Sequence, residues 1–225
     1  MSDTQQPGHS GALLRGVIVL VLICLVSGLG VGLLYASMKD DIEANERQVF
    51  LDALADVLGP ADRYETVGDY DDSVPELERV YANAADVGFL YAATGLAPGY
   101  QSQVTVLVAV RAARPQAPVG ADPVIHRMAV VSSQETPGLG ENIRQVEKDC
   151  SIWGFVVGRR ATARRPKFQE QFEEKRLSDL DVEKRQDTDK IAAVTGATIT
   201  SEGATEAARL AIGRIIARTN EIYGQ

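Results

Sequence analysis

The chain has 225 residues, 45% hydrophobic and 24% charged, with a net charge of −8 and a pI near 4.9. That composition suits one or two folded domains. The acidic balance, the lack of a basic stripe and the 6% aromatic content argue against nucleic acid as a partner, double- or single-stranded.

Residues 1–16 read as a short tail, polar and Gly/Pro-containing as far as Gly11. From Val17 to Ala36 the chain is an almost unbroken apolar run without a charge. This meets the roughly 18-residue requirement for a spanning helix. It is too long for the apolar core of a cleaved signal peptide, although Ala36-Ser37-Met38 has a faint cleavage-like character. A transmembrane helix is therefore expected over 17–37. Gly28 and Gly32 lie four apart on it, a small-xxx-small spacing that lets another helix come close. Residues 38–60 turn amphipathic: Ile42, Phe50, Leu51, Leu54, Val57 and Leu58 form one face, with acids and Arg47 on the other. Gly59-Pro60 is a strong stop. One helix emerging from a membrane and docking on a following domain, 61–225, is the expectation.

Within that domain residues 61–77 are turn-rich and acidic, the composition of a solvated loop. Val80–Ala82 and Val87–Ala92 are short strand candidates, and Val104–Val110 reads as a buried strand. A three-proline loop, 111–123, leads to a further strand at Val124–Val131, which would pair antiparallel with it. His126 inside that strand reads as a packed or solvated side chain, since His9 is the only other histidine. Cys24 lies in the apolar run and Cys150 in the domain, so a disulfide between them is implausible. There is no C-x-x-C for a cluster or haem, no Rossmann or Walker glycine pattern, and no histidine-based metal motif.

Two stretches remain. Glu135-Thr136-Pro137-Gly138-Leu139-Gly140 places Pro-Gly at the centre of a type II turn, where Gly138 would take positive φ. Thr195-Gly196-Ala197-Thr198-Ile199-Thr200-Ser201 is small and polar and stands before a helix expected from Ser201 to about Thr219. Ser201 suits the N-cap. Thr198 would then precede a helix N-terminus, whose free N–H groups can hold a phosphate.

TGATITS resembles the attachment motif of the FMN-binding domains that carry flavin as a phosphoester on a threonine. They occur in the G subunit of the Rnf electron-transport complex and the C subunit of the sodium-pumping NADH:quinone reductase. ETPGLG is similar to the other fixed stretch of that domain. Lys167-Phe168-Gln169-Glu170-Gln171-Phe172, followed by Leu177-Ser178-Asp179-Leu180, is similar to the Rnf G-like branch, and the matches together run from about Gly99 to Ile212. The resemblance implies an anchored α+β protein, with an antiparallel-sheet FMN-binding domain and flanking helices. It implies a domain on the periplasmic side of a bacterial inner membrane, with the tail in the cytoplasm.

The resemblance further implies covalent FMN through Thr198, attached by a flavin transferase. Thr195, Gly196, Ala197, Thr200, Ser201, Glu135, Thr136, Gly138 and Leu139 would surround the flavin, with Glu135 and Thr136 as a polar pair and Leu139 as an apolar contact. The function implied is electron relay within a complex coupling ferredoxin–NAD chemistry to sodium or proton movement. A quinone-reductase C subunit and a stand-alone FMN module are the alternatives. No independent catalytic set accompanies Thr198, which suits a residue modified by another enzyme. One departure stands out: the aspartate usual three residues before the motif is replaced by Ala192, with Asp189 nearby.

Overall fold

The structure, a computed structural model, describes residues 9–85, 88–144, 165–183 and 190–224. Contacts divide the chain at Gln48/Val49 into two compact units. The long helix α1, His9–Leu58, runs through that division as one element, so the apolar run and the amphipathic stretch are continuous. In the first unit its apolar side chains from Leu13 to Tyr35 stand exposed, and the helix is long and apolar enough to cross a membrane. An apolar cylinder of this length has no stable place in water.

The second unit is built on one five-stranded antiparallel sheet in the order β1 (Glu65–Thr66), β2 (Tyr81–Ala85), β3 (Gly88–Pro98), β4 (Gln103–Ala112), β5 (Ile125–Ser132). The α+β class expected from sequence is what is found. Each strand candidate overlaps a strand of this sheet, Val80 and Val124 lying one residue before β2 and β5 and Val87 outside the described residues, and β3 continues beyond its expected end at Ala92 as far as Pro98. The extension reads poorly in sequence because Thr94 and Gly95 interrupt it, but the register Phe89↔Ala112 to Pro98↔Gln103 carries pairing through both residues.

Helices cover both faces, so β4 is apolar without alternation from Val106 to Val110. Val104, Val106, Val108 and Val110 face one core and Leu107 and Ala109 the other. The second core is closed by the last turns of α1, through Phe50, Leu54, Val57 and Leu58. Their helix ends where Gly59 turns to φ +84, and Asn83 Nδ2 donates to the Leu58 carbonyl at 3.0 Å, satisfying one of its terminal acceptors.

The first core is covered by the C-terminal helix α3, Thr198–Tyr223, through Ala204, Ala207, Ala208, Ala211, Ile212 and Ile215. Four alanines let α3 lie almost on the main chain of β3. A Cβ on Gly95 would come within 1.8 Å of the Ala207 carbonyl oxygen, so only glycine fits. Between β5 and α3 stand a short helix α2, Lys167–Glu170, and a small parallel pair, β6 (Val182–Glu183) with β7 (Ile191–Ala192).

Candidate functional site

The site forms where α3 begins. After β7 the chain makes a tight turn, with Ala197 N–H donating to the Val194 carbonyl at 2.9 Å and Gly196 at φ +78. The helix then starts at Thr198, three residues before the expected position, and Ala197 is its N-cap. Ser201 is not the cap: its hydroxyl donates back to the Ala197 carbonyl at 2.9 Å and accepts Val194 N–H at 3.0 Å. The serine hydroxyl thus ties the first turn of the helix to the turn before it.

Ala197 has no side-chain oxygen, and alanine at an N-cap typically costs about 1 kcal/mol relative to serine or aspartate. The first intrahelical bond is Ser201 N–H to the Ala197 carbonyl, so the amides of Thr198, Ile199 and Thr200 precede the helical ladder.

The four motif hydroxyls are thereby sorted. Thr200 is buried and donates to Glu135 Oε2 at 3.1 Å. Ser201 is fully buried and engaged as described. Thr195 is exposed and lies off the cleft. Thr198 is half-buried, lines the cleft, and has no hydrogen-bond partner among the described residues.

ETPGLG forms the opposite wall. Leu139 N–H donates to the Thr136 carbonyl at 3.1 Å and Gly138 sits at φ +77, the turn expected from Pro-Gly. Glu135 is buried at 7% exposure, and its carboxylate accepts the amides of Gln101 and Ser102 and the Thr200 hydroxyl. It joins three segments across 34 and 65 residues of sequence.

The third motif lies behind both walls. Buried Gln169 donates to the Ile143 carbonyl at 3.1 Å, holding the turn that leaves ETPGLG. Gln171 accepts Ala192 N–H at 2.7 Å and donates to the Ala192 carbonyl at 3.3 Å. Ala192 is thus gripped through its backbone. Asp189 and Cys150 lie outside the described residues.

Between the walls is a cleft of about 420 Å³. Of the residues read from sequence, Glu135, Thr136, Leu139, Gly196, Ala197, Thr198 and Thr200 line it, while Gly138, Thr195 and Ser201 do not. Tyr100, Gly140 and Ile199 line it as well and were missed. Ile199 was legible as an apolar side chain with no place in the helix's buried stripe; Tyr100 carried only the mark of a turn after Pro98-Gly99. His126 is outside the cleft. It is the extra residue of a bulge between the pairs Val110↔Ile125 and Ala109↔Arg127. Burial lowers its pKa below the usual 6.5, helped by the Arg127 and Arg111 cations.

An antiparallel sheet roofed by a helix, with a helix start that has no side-chain cap among the described residues opening on a mostly apolar cleft, defines a domain suited to a ligand having an anionic end and an apolar body. The family model for the FMN-binding domain matches residues 99–213, and the chain belongs to that family. It is similar to the G subunit of the proton-translocating ferredoxin:NAD(+) oxidoreductase complex of Clostridium ljungdahlii, at 25% identity over 197 residues, 87% of this chain and 88% of that one. A crystal structure of Shewanella oneidensis NqrC aligns with a TM-score of 0.42 and 19% identity, over 64% of this chain and 61% of that one.

Proposed function

We propose that this protein is the electron-transfer flavoprotein subunit of a membrane-bound, ion-translocating ferredoxin:NAD oxidoreductase, with FMN joined through its phosphate to Thr198 Oγ1. The observation that carries the reading is the Thr198 hydroxyl, without a hydrogen-bond partner among the described residues, at a helix start that has no side-chain cap there, inside the cleft. The similarity to a G subunit over 87% of the chain and the helix of membrane-spanning length support it.

The residues present fit the group. A phosphodiester at Thr198 retains one negative charge, and the α3 dipole and its leading amides stabilise such a charge by roughly 0.3–1 kcal/mol. Leu139 and Ile199 offer apolar surface to a ring system, and Thr136 stands at the same wall. A separate flavin transferase reaches the Thr198 hydroxyl from the open side of the cleft. FMN supplies one- and two-electron chemistry when bound, and the protein binds, orients and shields it. The tail faces the cytoplasm and the domain the periplasm, where a covalent tether prevents loss of a scarce cofactor. Neighbouring subunits are the donor and acceptor.

The reading is tested with the full chain purified from membranes and denatured in gel. Wild type should show flavin fluorescence that survives denaturation and a reversible flavin bleach on reduction. Thr198→Ala should show neither and remain folded in the membrane. A Thr198→Ala band as bright as wild type contradicts it.

A further inference from the structure

Tyr100 differs from four other tyrosines of the domain, whose hydroxyls are engaged, and from Tyr223, whose ring packs on Tyr91 at 6.4 Å. Tyr64, Tyr81 and Tyr91 donate to backbone carbonyls and Tyr70 accepts Val80 N–H. Tyr100 is 67% exposed, and its hydroxyl has no partner among the described residues. It is nevertheless carried on a tightly held turn. Gly99 N–H donates to the Ser102 carbonyl at 2.7 Å, Gln101 and Ser102 amides donate to Glu135, and Gln134 N–H donates to Ser102 Oγ at 2.9 Å. Gly99 is required for this arrangement: a Cβ there would lie 2.4 Å from Glu135 Oε1. The tip of an ordinary surface turn has no need of a buried carboxylate beneath it. Here the brace fixes an aromatic side chain at the rim of the cleft that holds Thr198, with exposed Leu139 and Ile199 also at that cleft. A rigid aromatic loses little conformational freedom on contact and packs well in offset fashion against another ring.

We infer that Tyr100 is the ring-contacting residue of this site, packing against the isoalloxazine of the bound flavin, and that Glu135 is the positioning residue that holds it there. The inference rests on the FMN reading above. It assigns to the 98–102 turn a ligand role that its sequence did not show, and it explains why Glu135 joins that turn to the start of α3. A residue anchored at both Thr200 and the Tyr100 turn keeps the attachment point and the ring contact in fixed register.

The test is the ratio of native to denatured flavin emission of the full-length protein, which cancels differences in loading. A phenol packed on the ring quenches flavin emission; phenyl and aliphatic side chains quench it far less. Wild type should give a low ratio. Tyr100→Leu and the near-isosteric Tyr100→Phe should each raise it several-fold, whereas Tyr100→Trp should keep it low. Glu135→Ala, which keeps the Tyr100 side chain but removes the brace beneath its turn, should raise it as well, and Glu135→Gln, which can still accept the two amides, should restore the low value. Loaded Tyr100→Leu and Tyr100→Phe proteins with the wild-type ratio overturn the inference and leave the FMN reading standing. A wild type without covalent flavin removes both.

Discussion

The two faces of the sheet are closed by helices in different ways. On one face α3 lies against the strands through alanines, and Gly95 lets its main chain almost touch β3. On the other, the end of α1 is held off by large side chains, Phe50 and Leu54, with Phe50 tilted on Tyr81 at 5.8 Å. There Asp56 is surrounded by cations. Arg127 donates to its carbonyl at 3.0 Å and Arg165 pairs with its carboxylate, while Glu173 pairs with Arg165. A backbone-to-backbone contact leaves no freedom, and it lies on the helix whose first residue is Thr198. A side-chain contact tolerates adjustment, and it lies at the end of the helix with the membrane-spanning run. The face that carries the site is closed through main chain and the face closed by α1 through side chains.

That contrast is broken most severely at Gly95. Gly95→Val should drive α3 off the sheet, because the new Cβ meets backbone rather than a movable side chain. A loss above about 4 kcal/mol, beyond the usual range for overpacking, is expected, with flavin loading lost together with the fold. Chemical denaturation followed by circular dichroism measures it.

Phe50→Ala sharpens the comparison from the other side. Emptying this fully buried position should cost about 3–5 kcal/mol. Flavin loading and the flavin spectrum should remain those of wild type in the fraction that folds. A changed spectrum would mean that the two faces are not separable.

The smallest expected effect is at His126, on the bulge of β5. Burial holds its folded pKa below the unfolded 6.5, so it resists protonation in the folded state. Its stability contribution is fully present above 6.5 and is lost as pH falls from there through the depressed folded pKa. His126→Gln should flatten stability against pH in that window, which denaturation midpoints on either side of 6.5 will show.

Much of this arrangement was legible in the residues. The apolar run announced α1, the valine-rich stretches announced β4 and β5, and Pro137-Gly138 announced its turn. Each of these rests on local pattern. What escaped depends on contacts between distant segments. The start of α3 was misplaced because Ser201 reads as a cap by itself, and only its bond to Val194 N–H turns it inward. Glu135 was read as a flavin neighbour, yet its carboxylate is engaged by amides 33 and 34 residues away. Gln169 and Gln171 looked like parts of a family signature, and only the fold shows each gripping the segment behind one wall of the cleft. Tyr100 carried only the mark of a turn because its place at the cleft depends on the Glu135 contacts to Gln101 and Ser102.

The central claim is that, of four neighbouring hydroxyls, Thr198 alone combines a place in the cleft with the lack of a hydrogen-bond partner among the described residues. Peptide mass spectrometry of the membrane-purified protein tests it most directly. The peptide containing residues 191–209 should carry the mass of FMN less one water, with fragmentation placing it on Thr198. The same mass on Thr195, Thr200 or Ser201, or an unmodified peptide from protein that nonetheless carries covalent flavin, would contradict the account.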